Sequence, residues 1–291
     1  MIKFYRSTVE TLSDADIVLI GVPDESRSHA ERRGTSRAPD IIRLASNQSE
    51  FFKRDGKIIA TNPMRGSLYD KKILDFGNVE RERLPSLICH LISNGKLPII
   101  MGGDHSITTI ALEQIGKMLG KISIFYFDAH PDFVSSTNNY YGSVMTDSSE
   151  FIDFKNSVLI GTRAAEAEEL DNAAKVGLEV ITPLDLAEAG LPRLAGRLTN
   201  QGRQKKYVSV DLDCLDPAFA PAVSVPCPGG LSSTELLYLV KRIVNSGGII
   251  GMDIVELSPD FDLNNITAWL AARIISESMA SLNEQQKTNK G

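Results

Sequence analysis

The sequence predicts an α/β protein with a mostly parallel sheet covered by helices on both faces. Two observations carry this. Short β-rich runs alternate with stretches of helical period along the chain, the signature of repeated β-α units. Acidic and histidine residues recur where the apolar runs end, and open α/β sheets bind ligands beyond the carboxyl ends of their strands.

Ala15 to Val22 reads as the first strand, and Ala38-Pro39-Asp40-Ile41-Ile42-Arg43 as a helix opening with proline near its start. Ile73 to Gly77 is a short strand. Arg83 to Ser93 carries Leu84, Leu87, Ile88 and Leu91 at helical spacing and ends at Asn94-Gly95. A strand from Leu97 runs into Gly102-Gly103-Asp104-His105-Ser106, and Ile107 to Leu119 is helical. The run Ile122 to Tyr126 leads into Phe127-Asp128-Ala129-His130-Pro131-Asp132. Asn156 to Thr162 and Leu178 to Ile181 are further strands. Tyr207 to Val210 leads into Asp211-Leu212-Asp213, and Ser232 with Glu235 forms a capping box opening the next helix. Gly248 to Glu256 is the last strand and Ala268 to Leu282 the last helix. Apart from the polar tail at 283–291 there is no linker, repeat or low-complexity segment, so residues 1–291 are read as one domain.

Composition narrows the function classes. A hydrophobic content of 42% and a charged content of 23% suit a soluble globular protein. The net charge of -6 gives no basic surface for nucleic acid. Three cysteines without paired spacing argue against a disulfide framework. The first residues form no signal peptide, and no apolar run is long enough to span a membrane, so a cytoplasmic location is expected.

The chemistry concentrates at three strand ends. In an extended chain residues i, i+2 and i+4 face one side, so Asp128, His130 and Asp132 would converge, as would Asp211 and Asp213. With His105 they make a set suited to two metal ions. Isolated aspartates after strands are common as caps or turn residues. Capping does not account for two histidines or for this spacing. Four clustered carboxylates would repel unless cations neutralised them. Oxygen and nitrogen donors without thiolate favour Mn²⁺ or a similar ion. Two such ions lower the pKa of a shared water, which points to metal-assisted hydrolysis.

These residues resemble the ureohydrolases, meaning arginase, agmatinase and their relatives. The matches are GGDHS at 102–106, DAHPD at 128–132 and SVDLDCLDPAFAP at 209–221. Weaker echoes are RRGTSRAPDIIR at 32–43, LDFGNV at 74–79, IGTRA at 160–164 and DIVELSP at 253–259. The resemblance spans nearly the whole chain. It implies a three-layer α/β/α fold and two Mn²⁺ ions held by His105, Asp128, His130, Asp132, Asp211 and Asp213. Asp128, Asp132 and one later carboxylate become candidates to bridge or flank both ions. Glu256 falls where the family faces the substrate guanidinium, a cation that a carboxylate pairs with through two hydrogen bonds. A homo-oligomer, trimer or hexamer, is also implied.

On substrate, PCPGGL at 226–231 is similar to agmatinase-type members, and FVSSTNNYYGS after Asp132 lacks the arginase pattern that holds an α-carboxylate. The resemblance therefore implies hydrolysis of agmatine to urea and putrescine, a step of polyamine biosynthesis. One departure stands out. Where many relatives carry a His-Gly pair for proton transfer to the leaving amine, this chain has Tyr141-Gly142. With an ordinary pKa near ~10, tyrosine is a poorer shuttle than histidine. Formimidoylglutamase, which also tends to lack that histidine, another guanidino-acid hydrolase and a non-catalytic metal-bound scaffold are the alternatives. Elsewhere His90 reads as a surface or packing residue and His29 as a solvated loop residue, in a loop that the resemblance implies approaches the pocket mouth, where substrate contact is the alternative. Cys214 and Cys227 read as packing residues, Gly102-Gly103 as a tight turn, Glu166 to Glu169 as a solvated helix face, and Trp269 as core or a subunit contact.

Overall fold

The computed structural model describes residues 2–200 and 204–282; the polar tail noted at 283–291 lies outside them. Regular structure begins with β1 (Ile17–Gly21), buried throughout. α1 (Ala38–Ser49) follows, with Pro39 in its first turn, where no helical amide partner is lost. β2 (Phe51–Arg54) and β3 (Lys57–Ala60) form a separate antiparallel hairpin absent from the sequence reading. Its signal is Asp55-Gly56, whose positive φ values of 50° and 74° suit a two-residue hairpin turn.

β4 (Ile73–Asn78), α2 (Leu84–Ser93), β5 (Leu97–Met101), α3 (Ile107–Leu119) and β6 (Ser123–Phe127) come next. A one-turn helix α4 (Val144–Asp147) precedes β7 (Val158–Ile160), α5 (Ala167–Val176) and β8 (Glu179–Ile181). Then come α6 (Pro183–Ala189), α7 (Leu191–Thr199), β9 (Lys206–Asp211), α8 (Ser233–Asn245), β10 (Ile249–Val255) and α9 (Ile266–Ser281). The expected capping box opens α8: Ser232 Oγ accepts from the Glu235 amide at 3.3 Å, and the Glu235 carboxylate accepts from the Ser232 amide at 2.8 Å.

Eight strands form one sheet in the order β4-β1-β5-β10-β9-β6-β7-β8. Every pairing is parallel, so the expectation of a mostly parallel sheet is met in full. Alternate side chains feed two cores. Phe125 and Phe127 join the core under α1, α8 and α9, while Ile124 and Tyr126 join the core under α2 and α3. These are the three layers.

The strand order positions the site. The chain builds one half of the sheet through β5 and the other from β6 to β8. It then inserts β9 and β10 between β5 and β6. His105, Asp128, Asp132, Asp211, Asp213 and Glu256 all follow or end these four central strands, at the reversal of strand order where α/β sheets bind ligands.

Candidate metal centre

His105 lies in the turn after β5. Gly102 and Gly103 serve close packing there rather than an unusual turn, since neither has a positive φ. A Cβ on Gly103 would fall 1.8 Å from the Asp24 carbonyl oxygen. Asp128 follows β6 directly. The chain does not stay extended beyond it, as the alternating spacing had suggested. His130 turns its amide back onto Asp128 Oδ1 at 2.6 Å, and Asp132 adopts φ 51°. Asp211 ends β9, and Asp213 sits in a 3₁₀ turn with its amide on Asp211 Oδ1 at 2.7 Å. The expected side chains converge, but through tight turns.

Asp128 stands at the centre. Its Oδ2 lies 3.0 Å from His105 Nδ1 and its Oδ1 3.3 Å from His130 Nδ1. His105 Nδ1 also lies 3.2 Å from Asp211 and 3.5 Å from Asp132. His130 Nδ1 lies 3.1 Å from Asp213. Two groups result, His105–Asp128–Asp132 and Asp128–His130–Asp213, each with donor atoms within 4.8 Å of one another. Asp211 reaches the centre through His105 without joining either tight group.

A second set of residues orients the first. His105 Nε2 meets Ser209 Oγ at 2.8 Å, and Ser209 donates to Asp253 at 2.7 Å. Asp253 also accepts from Tyr207 and Thr108, each at 2.8 Å. With its proton directed to Asp253, Ser209 accepts from Nε2–H, which points Nδ1 at the carboxylates. Tyr126 stacks on the His105 ring at 4.7 Å and donates to Asp132. Glu256, at φ 65°, accepts from the His105 amide at 2.7 Å and from Ser224 Oγ. That two site carboxylates occupy the left-handed region fits the pattern of backbone strain kept at functional positions.

Burial and mutual repulsion set the charges. Burial, then the neighbouring Asp128, pushes the Asp132 carboxyl well above its ordinary range. Asp213 is raised for the same two reasons, and Asp211 by burial and then Asp213. Asp128 also suffers from burial, but hydrogen bonds from His105 and His130 outweigh it and hold its carboxyl low. Burial opposes charge on both imidazoles too, yet the aspartates around them raise both. Glu256 is pushed up to about 8 by burial and then by Asp104. Divalent cations would relieve this crowding, and the carboxylate and imidazole donors fit them. Cys214 offers no thiolate: burial, then Asp213, pushes its thiol up, in keeping with packing.

Tyr141 lies on the rim, outside both groups. Burial, then the fields of Glu256 and Asp132, raises its phenol. Its ring meets Tyr140 edge-on at 5.7 Å and His29 at 6.3 Å. His29 and His90 are exposed. One reading narrows and another needs correction. Of the two alternatives for Trp269, core and subunit contact, its 41% exposure, with the indole N–H on Gln48, removes the first only. Glu169 is not on a solvated face: it is buried and accepts from the Phe133 amide at 3.1 Å and the Glu166 amide at 2.9 Å, tying α5 to the loop after Asp132. Ser209 and Asp253 were missed although they are polar residues inside apolar strands, paired in register across β9 and β10.

Fold and site together define an α/β protein with a carboxylate–imidazole centre at the carboxyl edge of a parallel sheet. Residues 15–281 match the arginase family, and the chain belongs to that family. It is a ureohydrolase, a hydrolase of the kind whose members use a binuclear metal centre. An agmatinase of Neisseria meningitidis serogroup C is 31% identical over 278 residues, covering 91% of this chain and 86% of the relative. Proclavaminate amidinohydrolase of Streptomyces clavuligerus is 31% identical over 276 residues, covering 90% and 86%. The crystal structure of agmatine ureohydrolase of Thermoplasma volcanium superposes with a TM-score of 0.82 at 30% identity, covering 97% of this chain and 94% of that one. No helix among the described residues is long and apolar enough to cross a membrane.

Proposed function

We propose that this chain is a binuclear manganese hydrolase that splits agmatine into putrescine and urea. The observation that carries the reading is Asp128, whose two oxygens face two separate imidazoles and so belong to two overlapping donor groups. His105, Asp128 and Asp132, with Asp211 beside His105, would hold one ion; Asp128, His130 and Asp213 would hold the other. When bound, the two ions supply Lewis-acid activation of water near neutral pH. Manganese suits the absence of thiolate donors.

Glu256 would receive the guanidinium. A cation arriving beside it lowers its raised pKa and pairs with the resulting carboxylate. Tyr141 would serve the leaving amine; its raised phenol stays protonated at neutral pH and is a weaker acid than an ordinary tyrosine, so it would give up its proton only to a strongly basic amine. Agmatine is favoured because agmatinases stand among the relatives on both sequence and structure. We further propose a single domain over 1–291, a cytoplasmic location and a trimeric or hexameric homo-oligomer.

One observation favours a second reading. The Tyr141 amide bonds the Arg27 carbonyl at 3.2 Å, and the Arg27 guanidinium bonds Asn139 at 2.9 Å, so a cation borders the rim beside Tyr141. An anionic tail, as in a guanidino or formimino acid, would suit it. Mn²⁺-loaded protein should therefore be assayed with agmatine, arginine, 4-guanidinobutyrate and formiminoglutamate side by side. Urea from agmatine at the highest kcat/KM supports the first reading, and preference for any of the three acids replaces it with the second. Two bound ions with no turnover of any of them would leave a metal-bound scaffold.

A further inference from the structure

Arg163 follows β7 and belongs to none of the donor groups, yet it touches both loops that carry the Asp128–His130–Asp213 group. Its guanidinium donates to six main-chain carbonyls: Asp213 at 2.9 Å, Leu215 and Gly161 at 3.1 Å, Cys214 at 3.3 Å, Pro228 at 3.1 Å, and Cys227. Its own amide and that of Ala164 donate to the Ala129 carbonyl, both at 2.9 Å. Ala129 in turn donates its amide to Asp213 Oδ1 at 3.0 Å. Residue 163 thus holds the Asp128–His130 loop by its backbone and the Asp213 turn by its side chain.

Carbonyls of a tight turn lack the partners that a strand or helix would give them, and leaving them unmet when buried is costly. A planar fork with five N–H donors can serve several at once, which an ammonium cannot. The packing leaves no slack. A Cβ on Gly230 would fall 2.6 Å from Arg163 Nη2 and 2.5 Å from the Asp216 amide.

We infer that Arg163 is a positioning residue that sets Asp213 at the distance the second ion requires, and that its side chain couples the 227–230 loop to that ion. The inference rests on the binuclear reading above. The Leu231 and Asp216 amides also tie the same two segments, to Cys214 and Leu231 carbonyls at 3.0 and 2.9 Å, so the turn has a tether independent of Arg163. Removing the guanidinium should therefore displace Asp213 without unfolding the turn. The His105–Asp128–Asp132 group, which has no contact with this side chain, should keep its ion.

The test is Mn²⁺ binding by equilibrium dialysis and electron paramagnetic resonance on the full chain, comparing wild type, Arg163→Ala, Arg163→Lys and Gly230→Ala. Outer partners of metal ligands typically change affinity by about 10–100-fold, which sets the scale. Wild type should bind two ions with a spin-coupled signal. Arg163→Ala should bind one ion at wild-type affinity and the other at least about ten-fold more weakly, giving an uncoupled signal at limiting metal. Arg163→Lys should fall between, and Gly230→Ala should weaken the same ion. Two ions at wild-type affinity with a coupled signal in Arg163→Ala would overturn the inference, as would equal weakening of both ions in Arg163→Lys. Fewer than two ions in wild type would instead overturn the binuclear reading itself.

Discussion

At the scale of single residues, Asp128 is the point where the two halves of the centre meet. Its carboxyl is held low while its acidic neighbours are raised, so it is the carboxylate most ready to serve two cations at once. Asp128→Asn should therefore lose both ions, whereas Asp213→Asn should lose only one; mass-spectrometric metal counts after gel filtration distinguish them. The Ser209–Asp253 relay allows a second prediction. Ser209→Ala leaves His105 Nε2 without its buried partner and Asp253 with Tyr207 and Thr108 alone, and should weaken metal binding by about 10–100-fold. Isothermal titration with Mn²⁺ reads this directly. Unchanged affinity would mean that Tyr126 stacking alone orients the imidazole.

At the scale of elements, the site depends on how four strands end. β5 must turn within a few residues to place His105 against Glu256, and Gly103 passes so near the Asp24 carbonyl that no side chain fits. Gly103→Ala should destabilise the fold by an overpacking cost of about 1–3 kcal/mol and reduce Mn²⁺ affinity, read by thermal melts with and without metal. Much of this was legible in the sequence, because strand-end aspartates and histidines at alternate spacing are rare without a ligand to hold. Strands with strong apolar runs and the helix at Ile107 to Leu119 were legible for the same reason: their burial pattern is local. The β2–β3 hairpin was not, since its strands are largely exposed and carry no buried face. α5 was read only as the acidic helix face at Glu166 to Glu169, and α6 and α7 were missed because they are short, seven and nine residues, and divided at Gly190. Nor could sequence reveal the Arg163 clamp, which acts on carbonyls that every residue possesses.

At the scale of the whole molecule, the proposed metals would compete with protons for one buried cluster. In the metal-free protein His105, His130, Asp132, Asp211 and Asp213 all have raised pKa values. Each binds protons more tightly folded than unfolded, so its stabilising effect is full below the unfolded value and lost as pH rises through the folded one. Asp128 alone works in reverse, losing its contribution as pH falls. Chelated protein should thus melt at progressively lower temperature from about pH 5 to about pH 9, while the metal-loaded protein, with cations in place of those protons, should not. A melting gap that stays constant with pH would contradict this. The most direct test of the account is urea release from agmatine, followed as Mn²⁺ is added back to chelated protein and counted per chain. The account predicts urea and putrescine in equal amounts, with activity rising until two ions are bound. Two ions bound with no urea released would contradict it.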